Sequence, residues 1–221
     1  MDEETDKLIL GVDEAGRGPV IGPLVIVGYM IRESKIPELK LAGARDSKTL
    51  TPKQREQRVF KIQQLAEDYK VVIIEPKEID AALETPGTNL NWLEADKTIK
   101  LINDLDPDAV ILDCPSPNLK KYKAYILERL TNDKVELVVE HKAERHMPVA
   151  AASVIAKVKR DSIIEEIKKK YGNCGPGYPS NAITQEFIKK NWDKHPEIFR
   201  KSWATFKNHS QMKEQKQLGE Y

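Results

Sequence analysis

Asp13 and Glu14 are adjacent carboxylates that close the apolar run Leu8-Ile9-Leu10-Gly11-Val12, and the chain goes on as Ala15-Gly16-Arg17-Gly18-Pro19. A strand sends successive side chains to opposite faces, so at a strand end one acid can ligate a metal directly and the other from beside it. Glycines on either side of an arginine leave backbone N–H groups free to approach a sugar or phosphate closely. The acid pair alone reads as an acidic strand end with a glycine turn. The full Asp-Glu-Ala-Gly-Arg-Gly-Pro string shifts that balance toward a metal-dependent phosphodiester site.

Such a site needs several oxygen ligands converging on hard divalent cations, one ion to activate the attacking water and one to stabilise the leaving oxygen. Carboxylates suit Mg²⁺ or Mn²⁺, and neither thiols nor several histidines are required. Asp113 directly follows the short apolar run Ala109–Leu112. Alone it reads as an ordinary turn residue at a strand end.

The elements that must position these residues alternate in an α/β pattern. Leu8–Val12, Val20–Met30 and Val71–Glu75 are rich in β-branched residues and predict strands. Thr51-Pro52 opens a helix, with Thr51 as N-cap, whose buried face is expected to carry Val59, Ile62, Ala66 and Tyr69. Trp92, Ala95, Ile99 and Ile102 make a second helical face before the turn Asp106-Pro107-Asp108. The fully apolar Ala109–Leu112 is the kind of strand covered on both sides. A helix over Leu119–Leu130, a strand over Val135–Val139 and a long alanine-rich helix from near Pro148 then imply parallel pairing in the second half.

Five further blocks accompany the opening string: Arg45-Asp46-Ser47-Lys48, Ile111-Leu112-Asp113, His141-Lys142-Ala143, Ala151-Ala152-Ser153-Val154-Ile155-Ala156-Lys157-Val158 and Gly175-Pro176-Gly177-Tyr178-Pro179-Ser180. In this order, over residues 8 to about 206, they resemble ribonuclease HII, the type 2 ribonuclease H family. The resemblance implies a ribonuclease H-like fold, with a mixed five-stranded sheet flanked by helices and a C-terminal helical extension. Residues 1–201 are expected to form the catalytic domain and residues 202–221 the extension. The implied activity is an endoribonuclease that cuts the RNA strand of RNA–DNA hybrids and nicks duplex DNA 5′ of single ribonucleotides. It works by two-metal-ion catalysis with Mg²⁺ or Mn²⁺, leaves 3′-hydroxyl and 5′-phosphate ends, and serves DNA replication and ribonucleotide excision repair.

Asp13, Glu14 and Asp113 match three acids of the family pattern. The fourth departs from it: the family usually has aspartate four residues before the proline that opens the alanine-rich helix, and here Glu144 stands at that distance from Pro148. Glutamate keeps charge and ligand oxygens but adds one methylene, and Glu144 is assigned to the metal site. Asp161 is a rival, but it lies over three helical turns past Pro148 and reads better as a charged helix-surface or capping residue.

The resemblance also implies that Gly16-Arg17-Gly18 reads the 2′-hydroxyl through its backbone and that Tyr178 packs on the deoxyribose that follows. A 2′-hydroxyl is what separates RNA from DNA at one position. Tyr178 reads otherwise as a loop anchor. Arg45, Ser47 and Lys48 follow a glycine-containing turn and are assigned to phosphates, with a charged loop as the alternative. His141 and Lys142 sit beside the acids, where a histidine could orient a carboxylate or assist product release.

The tail Gln215-Lys216-Gln217-Leu218-Gly219-Glu220-Tyr221 resembles the sliding-clamp-binding box of replication proteins, though with one aromatic; a polar tail is the plainer alternative. This tail and the Gly16-Arg17-Gly18-Pro19-Val20-Ile21-Gly22-Pro23 form look similar to archaeal members, which fits a single-chain, monomeric enzyme. A non-catalytic nucleic-acid-binding module is the rival class, and it would need lost acids.

The 221 residues, 40% apolar, suffice for one substantial core. No apolar run approaches a membrane span, the N-terminus is acidic, and the two cysteines have no metal-like spacing, so a cytoplasmic protein is expected. Net charge is +1, but residues 141–221 carry 16 Lys+Arg against 9 Asp+Glu while the first 140 carry 20 against 26. A solvated helix face accounts for lysine runs such as Lys168–Lys170; for a nuclease the same excess would follow a phosphate backbone.

Overall fold

Each strand of this chain is set by where its pattern meets a breaker. A computed structural model describes residues 6–44 and 51–218, with the side chains of all but Pro52 and residues 212–218. β1 (Leu8–Ala15) pairs antiparallel with β2 (Leu24–Arg32), from Leu8 opposite Arg32 to Ala15 opposite Val25. Asp13 and Glu14 therefore lie within the strand, where the sequence placed its end at Val12. β2 begins later than Val20 because Gly22 takes a left-handed φ of +83° and Pro23 has no N–H for a ladder.

α1 (Ile36–Leu41) and α2 (Pro52–Leu65) follow. Thr51 caps α2 in a reciprocal box with Gln54, as its sequence predicts. α2 stops at Leu65, and Glu67 N already donates to Met30 O at 2.9 Å. Ala66 is thus the cap and Tyr69 belongs to β3 (Asp68–Ile74), which corrects the longer helical face. α3 (Pro76–Glu84), which hydrophobic spacing did not single out, precedes α4 (Leu90–Leu105). β4 (Ala109–Asp113), α5 (Leu119–Leu127) and β5 (Glu136–Glu140) then alternate as expected, within three residues of the expected limits.

α6 (Met147–Tyr171) is the long alanine-rich helix, and α7 (Ala182–Asn191) and α8 (Ala204–Leu218) complete the chain. Among the described residues the strands form a five-stranded sheet in the order β3-β2-β1-β4-β5, with β1–β4 and β4–β5 parallel. It is a mixed sheet flanked by helices, antiparallel first and parallel after.

The chain divides into two compact units. The first takes the described residues of Met1–Ala15, Val25–Val72 and Asn91–Val158. Its core is built from buried Leu10, Val12, Val27, Tyr29, Ile62, Val110, Leu112 and Val149. The second takes Gly16–Leu24, Ile73–Leu90 and the described residues of Lys159–Tyr221. Its core gathers Val20, Ile21, Ile164, Cys174, Phe187, Ile188, Ile198, Phe199 and Phe206. Cys114 and Cys174 are both buried and free. Among the described residues, no helix is long and apolar enough to cross a membrane.

Candidate active site

In the first unit, parallel pairing fixes the acids before any side chain is considered. Val12 of β1 stands opposite Leu112 of β4, so Asp13 and Asp113 follow at the same end of neighbouring strands. β5 lies on the far side of β4, with Glu140 opposite Asp113, and the chain leaves it through His141 and Lys142. Lys142 adopts a left-handed φ of 58°, a turn that costs a non-glycine residue about 1 kcal/mol. The turn swings Ala143 N back to donate to Asp113 Oδ1 at 3.4 Å. It also starts the short 3-10 turn Ala143–Arg145 that carries Glu144.

Glycine at position 11 is required by the opposing helix. A Cβ there would lie 2.1 Å from the Pro148 carbonyl carbon and 2.3 Å from Val149 N, so the start of α6 rests directly on β1. Asp13, two residues on and on the same strand face, accepts a hydrogen bond from Ser153 of α6.

Asp13 is 5% exposed. Burial is the main force raising its carboxyl from an ordinary value of 3.8 to about 7, and the nearby charges of Asp113 and Glu144 add to it. The Ser153 bond and the Glu14 N–H, which donates to Asp13 Oδ1 at 2.7 Å, work the other way without cancelling it. Cys114 reports the same field: burial raises its thiol, and Asp113, Glu14 and Glu94 raise it further. Glu94, on α4 and 2% exposed, is an acid of this neighbourhood that sequence reading missed. Its apolar helical surroundings gave no signal. Ser153 did give one, as a lone hydroxyl in an alanine-rich helix start.

A buried carboxyl that keeps its proton to about pH 7 beside other acids marks a region short of positive charge. Hard oxygen donors are the set that Mg²⁺ or Mn²⁺ accepts. Among the described residues, no group of three or more His, Cys, Asp or Glu side chains stands close enough together to hold one ion. Asp113 and Glu144 lie near enough to Asp13 for their charges to act on its carboxyl.

His141 is tied to the same sheet end, with Nδ1 donating to the Cys114 carbonyl at 3.1 Å, whereas Lys142 is exposed. Glu140 bonds Arg145 and accepts from His146 Nε2 at 2.7 Å, holding both residues that follow Glu144. Asp161 lies 3.8 Å from Arg160, its neighbour on α6.

The second unit brings Gly16–Gly18 and Tyr178 together. A Cβ on Gly18 would sit 3.7 Å from the Tyr178 ring, in ordinary contact. Gly16 has φ +87°, and a Cβ on it would fall 2.5 Å from Arg160 Cδ. The Arg160 guanidinium lies 5.4 Å from the Tyr178 ring centre and donates to Pro176 O at 2.8 Å. Val20 N donates to Gly177 O at 2.9 Å, closing the two loops on each other. Tyr178 remains 39% exposed, available to pack on a ligand. Arg45, Ser47 and Lys48 lie outside the described residues, as do Gly219–Tyr221 and the side chains of Gln215–Leu218.

The sequence profile of the family described as Ribonuclease HII matches residues 10–206. The chain belongs to the ribonuclease HII family. Ribonucleases HII are endonucleases that hydrolyse RNA in RNA–DNA hybrids, and this chain is an enzyme of that class. It is 44% identical to the ribonuclease HII of Methanococcus maripaludis strain C5 over 215 residues, 94% of this chain and 89% of that one. The crystal structure of the ribonuclease H2 from Pyrococcus horikoshii OT3 is similar with a TM-score of 0.86 at 39% identity, covering 93% of this chain and 98% of that one. That likeness gives the ribonuclease H-like fold expected from the sequence. A structure of the PCNA:RNase HII complex from Archaeoglobus fulgidus matches with a TM-score of 0.79 at 32% identity, over 89% of this chain and 95% of that one.

Proposed function

We propose that this ribonuclease HII cuts the RNA strand of hybrids and also nicks duplex DNA on the 5′ side of a single ribonucleotide, leaving 3′-hydroxyl and 5′-phosphate ends. The observation that carries the reading is the sheet end where Asp13, itself buried, and Asp113 follow paired residues of β1 and β4, with Glu144 near enough for its charge to act on Asp13. Asp13, Glu14, Asp113 and Glu144 would hold two Mg²⁺ or Mn²⁺ ions. Bound ions would supply an activated water and charge stabilisation for the leaving 3′ oxygen.

The chain's own part is positional. Ser153 and the Glu14 N–H both donate to the Asp13 carboxyl and restrain its rotation. Ala143 N holds Asp113, and Glu140 fixes the turn that presents Glu144. Glutamate at position 144 reaches one methylene further than aspartate, and the clamped turn limits the freedom that the longer arm brings. His141 orients the backbone after Asp113, and Lys142 offers an exposed cation beside the acids.

Gly16–Gly18 reads the 2′-hydroxyl with its backbone, and Tyr178 packs against the next sugar, where a ring leaves no space for a second hydroxyl. Arg45, Ser47 and Lys48 hold phosphates, so binding weakens as salt rises. The segment Gln215–Tyr221 docks on a sliding clamp, a reading supported by the clamp complex of the Archaeoglobus relative. Deleting it should abolish clamp binding in a pull-down while leaving hybrid cleavage unchanged; unchanged clamp affinity would dismiss the role.

The test is cleavage of an end-labelled DNA duplex carrying one ribonucleotide, with Mg²⁺ or Mn²⁺, beside an all-DNA duplex and a chelator control. A metal-dependent nick immediately 5′ of the ribonucleotide, absent from all-DNA, is the expected result. Binding without a nick in either metal would favour the non-catalytic module.

A further inference from the structure

Arg200 is fully buried, yet its guanidinium ends on three backbone carbonyls of a single segment. Nη2 donates to Gly16 O at 2.6 Å, Nη1 to Arg17 O at 2.9 Å and Nε to Gly22 O at 3.0 Å. A buried guanidinium without such partners would be strongly disfavoured, so the geometry of this fork is firmly held. Trp203, whose ring lies 4.9 Å from the Arg200 guanidinium, donates through Nε1 to Gly18 O at 3.1 Å.

The turn bearing these two residues is itself anchored. Asp80 of α3 accepts from Lys201 N at 2.8 Å and from Ser202 N at 2.9 Å, while Arg200 N donates to Val20 O at 2.9 Å.

All peptides here are trans, so in each plane the carbonyl and the N–H point opposite ways. Drawing the Gly16 and Arg17 carbonyls toward Arg200 turns the N–H groups of Arg17 and Gly18 the other way, clear of the guanidinium. The Gly18 carbonyl goes to Trp203, and the next residue, Pro19, has no N–H to misplace.

We propose that Arg200, assisted by Trp203, is the positioning residue that aims the Arg17 and Gly18 N–H groups at the ribonucleotide sugar. Specificity for the 2′-hydroxyl thus depends on a side chain 183 residues from Arg17 in sequence that touches no substrate. The inference rests on the reading of Gly16–Gly18 as the sugar-reading loop.

The experiment compares kcat/KM on a duplex with one ribonucleotide and on the same duplex with a 2′-fluoro nucleotide there. Arg200→Lys keeps the charge but loses the fork, and should lower the ribose-to-fluoro ratio about tenfold while the Mn²⁺ concentration for half-maximal rate stays unchanged. Trp203→Phe keeps the ring and removes one donor, and should lower the ratio in the same direction by a smaller factor. An unchanged ratio in a folded Arg200→Lys variant overturns the proposal. Should that variant fail to fold, an unchanged ratio in Trp203→Phe overturns it. Gly18→Ala, which adds a methyl with no clash inside the chain, separates the two layers of argument. If it leaves the ratio unchanged, the loop reading itself falls; if it alone alters the ratio, only the positioning role of Arg200 falls.

Discussion

The acid pair Asp13-Glu14 and the glycine loop Gly16–Gly18 are separated in sequence by Ala15 alone, but they are stabilised in opposite ways. Around Asp13 burial outweighs the hydrogen-bond donors, and the carboxyl is driven up to about 7 with Asp113 and Glu144 adding to the rise. Around Gly16–Gly18 each carbonyl has a donor from Arg200 or Trp203. In the proposed function the first region is completed by a cation; the second is arranged before any ligand binds. Charge chemistry tolerates this unfinished state because the incoming ion completes it. Discrimination by one hydroxyl does not, because a loop that ordered itself only on binding would spend its selectivity on ordering.

Asp13→Asn gives the sharpest break on the acid side. Losing a central ligand should lower kcat for hybrid cleavage about 10³-fold, equivalent to ~4 kcal/mol of transition-state stabilisation. Single-turnover kinetics in Mn²⁺ would check it, and a loss below tenfold would remove Asp13 from the centre of the site. Glu144→Gln should cost about 10²-fold, with Glu144→Asp retaining most activity. Turnover near wild type in Glu144→Gln would make that carboxylate a bystander.

Tyr178→Ala acts on the other region. Its preference for the RNA-to-DNA junction should fall about tenfold, or ~1.4 kcal/mol, while the Mn²⁺ requirement is unaffected. Equal preference before and after the change would return Tyr178 to loop anchoring. The smallest effect is expected from Ser153→Ala, which removes a bond that lowers the Asp13 carboxyl. The rising limb of its pH–rate profile should move to higher pH, with about tenfold weaker apparent Mn²⁺ affinity. A shift to lower pH would reverse the sign of that argument.

The same comparison explains what the sequence could disclose. Asp13, Glu14 and Asp113 were candidates because acids stand out against apolar runs, and the pairing of β1 with β4 brings Asp13 and Asp113 to the same sheet end. Glu144 was proposed from the blocks on either side of it, His141-Lys142-Ala143 before and Pro148 after. Arg200, Arg160 and Asp80 were not legible as loop-holding residues. Nothing in local spacing tells a buried arginine that bonds distant carbonyls from a surface one. Strand limits failed where backbone geometry overrode composition, as at Gly22-Pro23, and the α2 face failed where the chain joined the sheet at Glu67. α3 was overlooked although its Asp80 anchors the turn at Lys201-Ser202.

The most direct test of the stored-charge account is thermal melting of metal-free wild type and Asp13→Asn at pH 8, each with and without Mn²⁺. In the fold, Asp13 has its carboxyl raised from 3.8 to about 7, so its ionisation penalises the metal-free protein progressively as pH rises through that interval and in full above it. The account predicts that in chelator Asp13→Asn melts on the order of 5 °C above wild type. It also predicts that Mn²⁺ raises the wild-type melting temperature and barely moves the variant. A metal-free variant that melts below wild type, or a wild type indifferent to Mn²⁺, would contradict it.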